Sequence, residues 1–468
     1  MPVIFWTDAL IFLLLFLAAV FVLYARNKEH LRAPWREVAR SRLGMGAAVV
    51  LGFYVGIGIL DSLHFHPSLA ASGAEPRYAP EILSAFDVLV TPLRTRVEKT
   101  YSAPLATHLY AKETIELAQG RQIRDFPRLL YGGAHLKSPE SEKWTDIVGT
   151  MGRATGEAFL FWASLVFFTL LGLSRARAAR LRETAFHVIA RRTEVPWLVI
   201  LLTFAACLWL GFVCMRLGVN YHLLGTDKVG QDVFYQALKS IRTGLVIGTL
   251  TTLIMLPFAT LLGIAAGYFG GWVDDLIQYL YTTLNSIPGV LLIAAAILMM
   301  QVYMATHADR FTSLEARSDM RLLFLCIILG ITSWTGLCRL LRGETLKLRE
   351  LDYIQAAQAF GVSHFRIILR HILPNVMHIV LIALVLDFSG LVLAEAVLSY
   401  INIGVDPSMN SWGNMINSAR LEMAREPIVW WSLAAAFLFM FTLVLSANIF
   451  SDAVRDAFDP RLRDLQRA

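Results

Sequence analysis

Long runs of apolar residues alternate with short polar breaks along most of the chain. The runs fall at about 7–25, 44–61, 157–174, 197–216, 243–268, 286–304, 321–341, 376–398 and 429–449. Each approaches the ~20 residues that a helix needs to cross ~30 Å of hydrocarbon. The pattern therefore predicts an all-α polytopic membrane protein with nine spans. A polar excursion, 62–156, follows the second run and is broken by Pro67, Pro76, Pro80, Pro92, Pro104, Pro127 and Pro139. Within it, 81–100 and 106–119 read as amphipathic helices of a small external domain and the remainder as loop.

Charge orients these spans. Arg26, Lys28, Arg32, Arg36, Arg40 and Arg42 follow the first run, and short loops rich in Lys and Arg stay in the cytoplasm. The N-terminus is then outside. Alternation puts 62–156 outside and the Arg175–Arg192 cluster inside, and ends with the C-terminus inside. The loop 269–285 fits least well, because parity requires it inside although it carries Asp274 and Asp275 and no basic residue. The leader of the first run has Asp8, no basic residue and no small-residue cleavage site, so the run reads as a retained anchor.

Composition agrees with lipid as solvent. The 468 residues are 56% hydrophobic and 17% charged, against about 45–50% and about 25% in soluble domains. The net charge of +6 sits in clusters beside apolar runs rather than on one polar face, which argues for membrane orientation and against nucleic acid. Cys207, Cys214, Cys326 and Cys338 all lie inside apolar runs and read as free thiols, and no metal site is expected. No GxxxxGK[ST] phosphate loop or HExxH occurs, so the expected cofactor count for this chain is zero.

The segment 342–375, placed inside, contains a pattern with a physical logic. From Asp352 and Tyr353 through Gln355, Ala356 and Ala357, a short helix with little bulk lets a partner surface approach its backbone. Gly361 can then end that helix in the left-handed conformation. Ser363 is placed to cap a second helix, and Pro374, after Leu373, is expected to stop it and launch the next span.

At this point the sequence resembles the permease subunits of ABC importers, whose cytoplasmic loop reads Glu-Ala-Ala, three residues, Gly, nine residues, then a segment ending Leu-Pro. Ala356, Ala357, Gly361, Leu373 and Pro374 match at the correct spacing, while Gln355 replaces the Glu and His371 replaces the usual Ile. Three further stretches are similar to the second permease type of the dipeptide/oligopeptide branch: His222–Asp232, Glu395–Gly413 and Ala453–Arg461. The resemblance covers roughly 200–465. It implies a six-helix type I core at 197–468 in the bacterial inner membrane, coupled through the 342–375 loop. The implied partners are a homologous second permease, two ABC ATPase subunits (separate or fused) that bind ATP and Mg, an extracytoplasmic substrate-binding protein, and lipid. The implied cargo is a peptide or peptide-like solute. Outside the resemblance lie membrane helices at 1–61, the external segment 62–156, and a third extra helix with its basic linker at 157–196. Three added spans keep the core's orientation only if the N-terminus is outside, as the charges require.

Other residues draw attention singly. Asp387 falls mid-span, where a carboxylate costs roughly 2.5–3.5 kcal/mol on an insertion scale, so it is expected to face the interior or a water path. Glu395, nearer the outer end, reads as an external gate or a helix-positioning contact. Gly225, Thr226, Asp227, Gly230 and Asp232 form an external elbow, with Thr226 and Asp227 of types that close a turn and cap the next helix. Gly263 and Gly267 form a GxxxG packing pair. Trp412, Trp430 and Trp431 read as an aromatic belt. Two readings compete with the permease: an ion-coupled transporter using Asp387 and Glu395 as proton carriers, and a receptor or scaffold with an external ligand-binding domain.

Overall fold

The computed structural model describes residues 1–26, 29–69, 77–116, 122–177, 180–307 and 313–458. Lys28, Pro76 and the end of the C-terminal motif (Asp459, Pro460, Arg461) lie outside the described residues. The chain opens with β1 (Pro2–Val3), α1 (Trp6–Arg26), α2 (Glu29–Arg40) and α3 (Arg42–Asp61). The external segment holds β2 (His64–Phe65), β3 (Ser68–Leu69), β4 (Arg77–Tyr78), β5 (Leu83–Ser84), α4 (Ala85–Leu89), α5 (Thr91–Thr95), β6 (Glu113–Glu116) and β7 (Gln122–Asp125). Then follow α6 (Pro139–Arg177), α7 (Leu181–Ile189), α8 (Trp197–Gly218), α9 (Val233–Phe269), α10 (Gly271–Ser286) and α11 (Gly289–Thr306). The rest is α12 (Leu314–Ser333), α13 (Thr335–Arg349), α14 (Asp352–Ala359), α15 (His364–Ile367), a π turn (Ile368–Ile372), α16 (Leu373–Tyr400), α17 (Trp412–Glu422) and α18 (Trp431–Phe458).

Nine helical stretches among the described residues are long and apolar enough to cross a membrane, one for each predicted run. The protein is an all-α polytopic membrane protein. Three local expectations need correction. First, the described part of 106–119, residues 106–116, is not a helix: Glu113–Glu116 pairs antiparallel with Gln122–Asp125, and 81–100 forms only the single-turn α4 and α5. Pro92 and Pro104 break helical continuity there. Second, α6 starts at Pro139 rather than 157. Its first position tolerates proline, Glu140 and Glu142 suit the N-terminal dipole, and no proline follows until Pro196. Its polar first turns hid it from a hydropathy reading. Third, Pro374 does not stop a helix, because the chain stays helical from His364 to Tyr400. The π turn just before Pro374 rearranges the bonding at the carbonyls that a proline N–H cannot serve.

The chain divides into two compact units that cross the sequence boundaries at 61, 156 and 196. One unit comprises 1–4, 36–243 and 410–450. Here α3 and α6 pack on α8, with Phe53 and Phe204 rings 5.1 Å apart and Trp162 donating to the Leu201 carbonyl at 2.9 Å. β1 pairs antiparallel with β2, and β2 with β5, in register Pro2↔Phe65 and His64↔Ser84. Two crossings after leaving it, the chain is back beside its own start, so the N-terminus and the external segment share a side.

The other unit comprises 5–35, 244–409 and 451–468. There α1 packs on α12: Thr7 N–H donates to Asp319 at 3.3 Å, and Leu10 and Ile11 join a cluster with Leu322, Leu325 and Leu398. A second cluster ties Ile264, Leu341, Ile354, Ile367, Ile372 and Val376 together beneath the 352–374 segment.

Candidate functional site

The 352–374 segment is built as an elbow on a fixed mount. Asp352 sits in the first turn of α14, where its charge suits the helix dipole. The helix ends in a paired cap: Gly361 N–H donates to Gln358 O at 3.0 Å and Val362 N–H to Ala357 O at 3.1 Å, with Gly361 at φ +71°. That is the Schellman arrangement, and it requires the left-handed residue that glycine provides. Ser363 occupies the position before α15, but its hydroxyl makes no capping bond, contrary to expectation.

Burial divides this elbow into two faces. Ile354 is fully buried and anchors α14, with Ala357 half-buried beside it. Gln355, Ala356, Tyr353, Phe360 and Phe365 are exposed, Phe360 at 87% and Phe365 at 73%. From below, Tyr268 at the end of α9 accepts from Gln358 at 3.3 Å, lies 2.8 Å from His364 Nδ1, and offers its carbonyl to Arg349. Tyr353 accepts from Asn375, which also donates to the His371 carbonyl. Gly263 and Gly267 seat α9 on α13. A Cβ at Gly263 would stand 2.8 Å from Cys338 O, and one at Gly267 would stand 2.7 Å from Arg342 O. Arg342 makes a two-pronged bond to Asp274 at 2.5 and 2.6 Å, and that hydrogen bond holds the Asp274 carboxyl below its ordinary range. Loop 269–285 thus lies at the same end as the elbow, and Arg342 is the basic residue that pairs with its Asp274.

The two acids on α16 differ. Asp387 is half-buried and lines a cavity of about 680 Å³ with Ser333, Leu340, Ile379 and Ala383. Glu395 is 1% exposed; Ser399 donates to it at 2.6 Å and accepts from Val405 N–H at 3.3 Å, so its geometry is that of a residue positioning the 399–405 turn.

A family pattern described as "binding-protein-dependent transport system inner membrane component" matches residues 259–464. A glutathione transport system permease protein of Pectobacterium atrosepticum is 33% identical over 244 residues, covering 52% of this chain and 73% of the relative. An oligopeptide transport system permease protein of Mycobacterium bovis is 32% identical, covering 53% and 78%. For a dipeptide transport system permease protein of Bacillus subtilis the figures are 28%, 52% and 69%. The chain belongs to this permease family. It is a multi-pass inner-membrane, non-catalytic component of an ABC importer.

In this permease the external elbow is a docking plate for the chain's own insert. Thr226, fully buried, accepts from Ser102 N–H at 2.7 Å and donates to Thr100 O at 2.8 Å, while its carbonyl takes the Trp431 indole at 2.9 Å. Gly225 (φ +70°) and Gly230 (φ +78°) make room: a Cβ would stand 2.3 Å from Ser102 O and 1.8 Å from Glu98 O respectively. Asp227 organises the turn by accepting from Val229 and Gln231 N–H, each at 2.9 Å. The cap of α9 belongs instead to Asp232, which accepts from Tyr235 N–H at 3.0 Å. Trp412 and Trp431, both 1% exposed, are buried hydrogen-bonded anchors rather than belt residues, because their indole N–H groups have carbonyl partners inside the unit.

Sequence reasoning missed the residues that lock this plate. Glu98 accepts from Leu130, Tyr131 and Gly132 N–H at 2.9, 2.8 and 3.1 Å. His222 bonds Asp232 through Nδ1 at 2.7 Å, and its Nε2 lies 3.4 Å from Glu98, an ion-pair distance without hydrogen-bond alignment. Burial opposes the His222 charge, but Asp232 and Glu98 outweigh it and raise the imidazole to about 9. Burial likewise opposes the Glu98 charge, yet His222 and the three backbone donors hold that carboxyl low. Lys239 links Asp61 at 2.6 Å and Asp87 at 3.1 Å. Among the described residues no group of three or more His, Cys, Asp or Glu is arranged to hold a metal ion.

Proposed function

We propose that this permease forms half of the translocation pathway of an ATP-driven importer for peptides or peptide-like solutes. Its elbow at 352–374 takes up the motion of an ABC ATPase. A homologous second permease completes the pathway, the ATPases bind ATP and Mg, and an extracytoplasmic protein delivers the solute. The observation that carries this reading is the exposed Ala356, Phe360 and Phe365 surface held on a fully buried Ile354 anchor. A rigidly mounted apolar knob is what a neighbour must grip to transmit a displacement, and a partner that grips it equally in every state shifts nothing. The chain's similarity to glutathione, oligopeptide and dipeptide permeases supports the solute class and disfavours the ion-coupled and receptor readings.

Gly361→Glu tests it. A Cβ there meets nothing within 4 Å, but φ is +71°, so the substitution bends the elbow at a cost of about 1–3 kcal/mol without overlapping the core. Insertion into the membrane is retained while ATP hydrolysis is severed from uptake in the complete transporter. Unchanged substrate-stimulated uptake refutes the reading.

A further inference from the structure

Asp387 stands midway along α16 (Leu373–Tyr400), on the wall of the 680 Å³ cavity. Three other charged or titratable groups line that cavity: Glu344, His378 and Arg455. His378 lies nine residues nearer the elbow on the same helix, or about 14 Å at the helical rise. Among the described residues Asp387 has no hydrogen bond or ion pair to any side chain, and the lining residues between it and His378 on the same helix, Ile379, Ile382, Ala383 and Leu386, are all apolar. Membrane proteins keep a carboxylate at this depth where it pairs with something or serves a pathway. The described residues supply no partner, and the space in front of the carboxylate is many times that of a single water.

We infer that Asp387 is a subsite for a primary ammonium group, with the apolar walls beside it accepting a small side chain. On the peptide reading above, on which this inference rests, the group is the free N-terminal amine of the solute in transit. A monovalent anion flanked by apolar walls attracts such a cation more strongly than one in bulk water, because water screens less there. The interaction is matched to transit: one charge pair without a second clamp holds the amine and releases it.

Two measurements on the assembled transporter test this. In a background with the four native cysteines replaced by alanine, Ala383→Cys, one helical turn from Asp387 on the cavity wall, reports local potential through its rates with cationic and anionic methanethiosulfonates. Adding Asp387→Asn lowers the cation-to-anion rate ratio about ten-fold, the lower end of what a focused charge produces. A ratio unmoved by Asp387→Asn overturns the inference. In proteoliposomes carrying binding protein and ATPases, Asp387→Asn lowers ATP-dependent trialanine uptake about ten-fold, and Asp387→Glu, which keeps the charge, recovers part of it. Wild-type uptake matched by Asp387→Asn overturns the subsite while leaving the permease reading intact. Absence of ATP-dependent uptake by the wild type overturns the peptide reading and the subsite with it.

Discussion

His222→Ala withdraws a cation from between two carboxylates that are each 1% exposed, Glu98 at 3.4 Å and Asp232 at 2.7 Å. The rise of the imidazole from 6.5 to about 9 corresponds to about 3 kcal/mol in favour of the charged form, at about 1.4 kcal/mol per unit. Breaking a buried pair by removing one member typically costs about 3–5 kcal/mol. Here Glu98 keeps three backbone donors and Asp232 keeps the Tyr235 N–H, so the lower end applies, about 3 kcal/mol. The loss falls on the junction between insert and elbow, and hydrogen exchange followed by mass spectrometry reads it as faster exchange in 98–110 and 128–136. The pH dependence has a fixed sign. A raised imidazole stabilises fully below about 6.5 and loses its contribution as pH climbs through about 9. The depressed Glu98 contributes above its ordinary range and is lost in acid. The thermal midpoint of the detergent-solubilised permease therefore falls on the alkaline side in wild type, and that alkaline fall is largely absent in His222→Ala. Unchanged exchange in 98–136 in the variant, or an identical alkaline fall, refutes the locking role.

Gly267→Val drives a side chain into Arg342 O and Thr345, both 2.7 Å from the new Cβ. It lowers stability by about 1–3 kcal/mol through overpacking, measured as a shift in the detergent melting curve, whereas Gly343→Ala, with nothing within 4 Å, leaves that curve unmoved. Arg342→Leu leaves Asp274 with Gln278 as its remaining side-chain partner and costs about 1.5–3 kcal/mol. The double change with Asp274→Leu costs less than the sum of the two single changes, and strict additivity in the same melts contradicts a direct pair. Glu395→Ala frees Ser399 and loosens the 399–405 turn, read as faster amide exchange confined to that turn.

What was legible in the sequence was whatever has a local signature. Apolar runs mark spans because bilayer thickness fixes their length, and Gly361 announces its turn because few residues tolerate a left-handed backbone there. Charge clusters near the runs give orientation, and the β1–β2 pairing agrees with it. The first turns of α6 escaped because Glu140, Glu142, Lys143 and Asp146 make them polar, although polarity does not prevent helix formation outside lipid. The 106–116 stretch carries no local feature that excludes a helix, and it is the pairing of 113–116 with the strand 122–125 that makes it extended. The Glu98–His222–Asp232 junction had no local signal. Glu98 and His222 are 124 positions apart in the sequence, and only the fold brings them together. Trp412 and Trp431 looked like belt residues for a similar reason, since the Ala237 and Thr226 carbonyls that bury them are 175 and 205 residues away.

The most direct measurement asks which face of the membrane, and which neighbour, meets the elbow. With Phe360→Cys in the cysteine-replaced background, a membrane-impermeant maleimide is applied to right-side-out and to inverted vesicles, with and without bound ATPase subunits. Labelling is expected only in inverted vesicles, with protection of that site when the ATPases are bound. Labelling from the outer face, or equal labelling with the ATPases in place, contradicts the elbow's role as the ATPase contact.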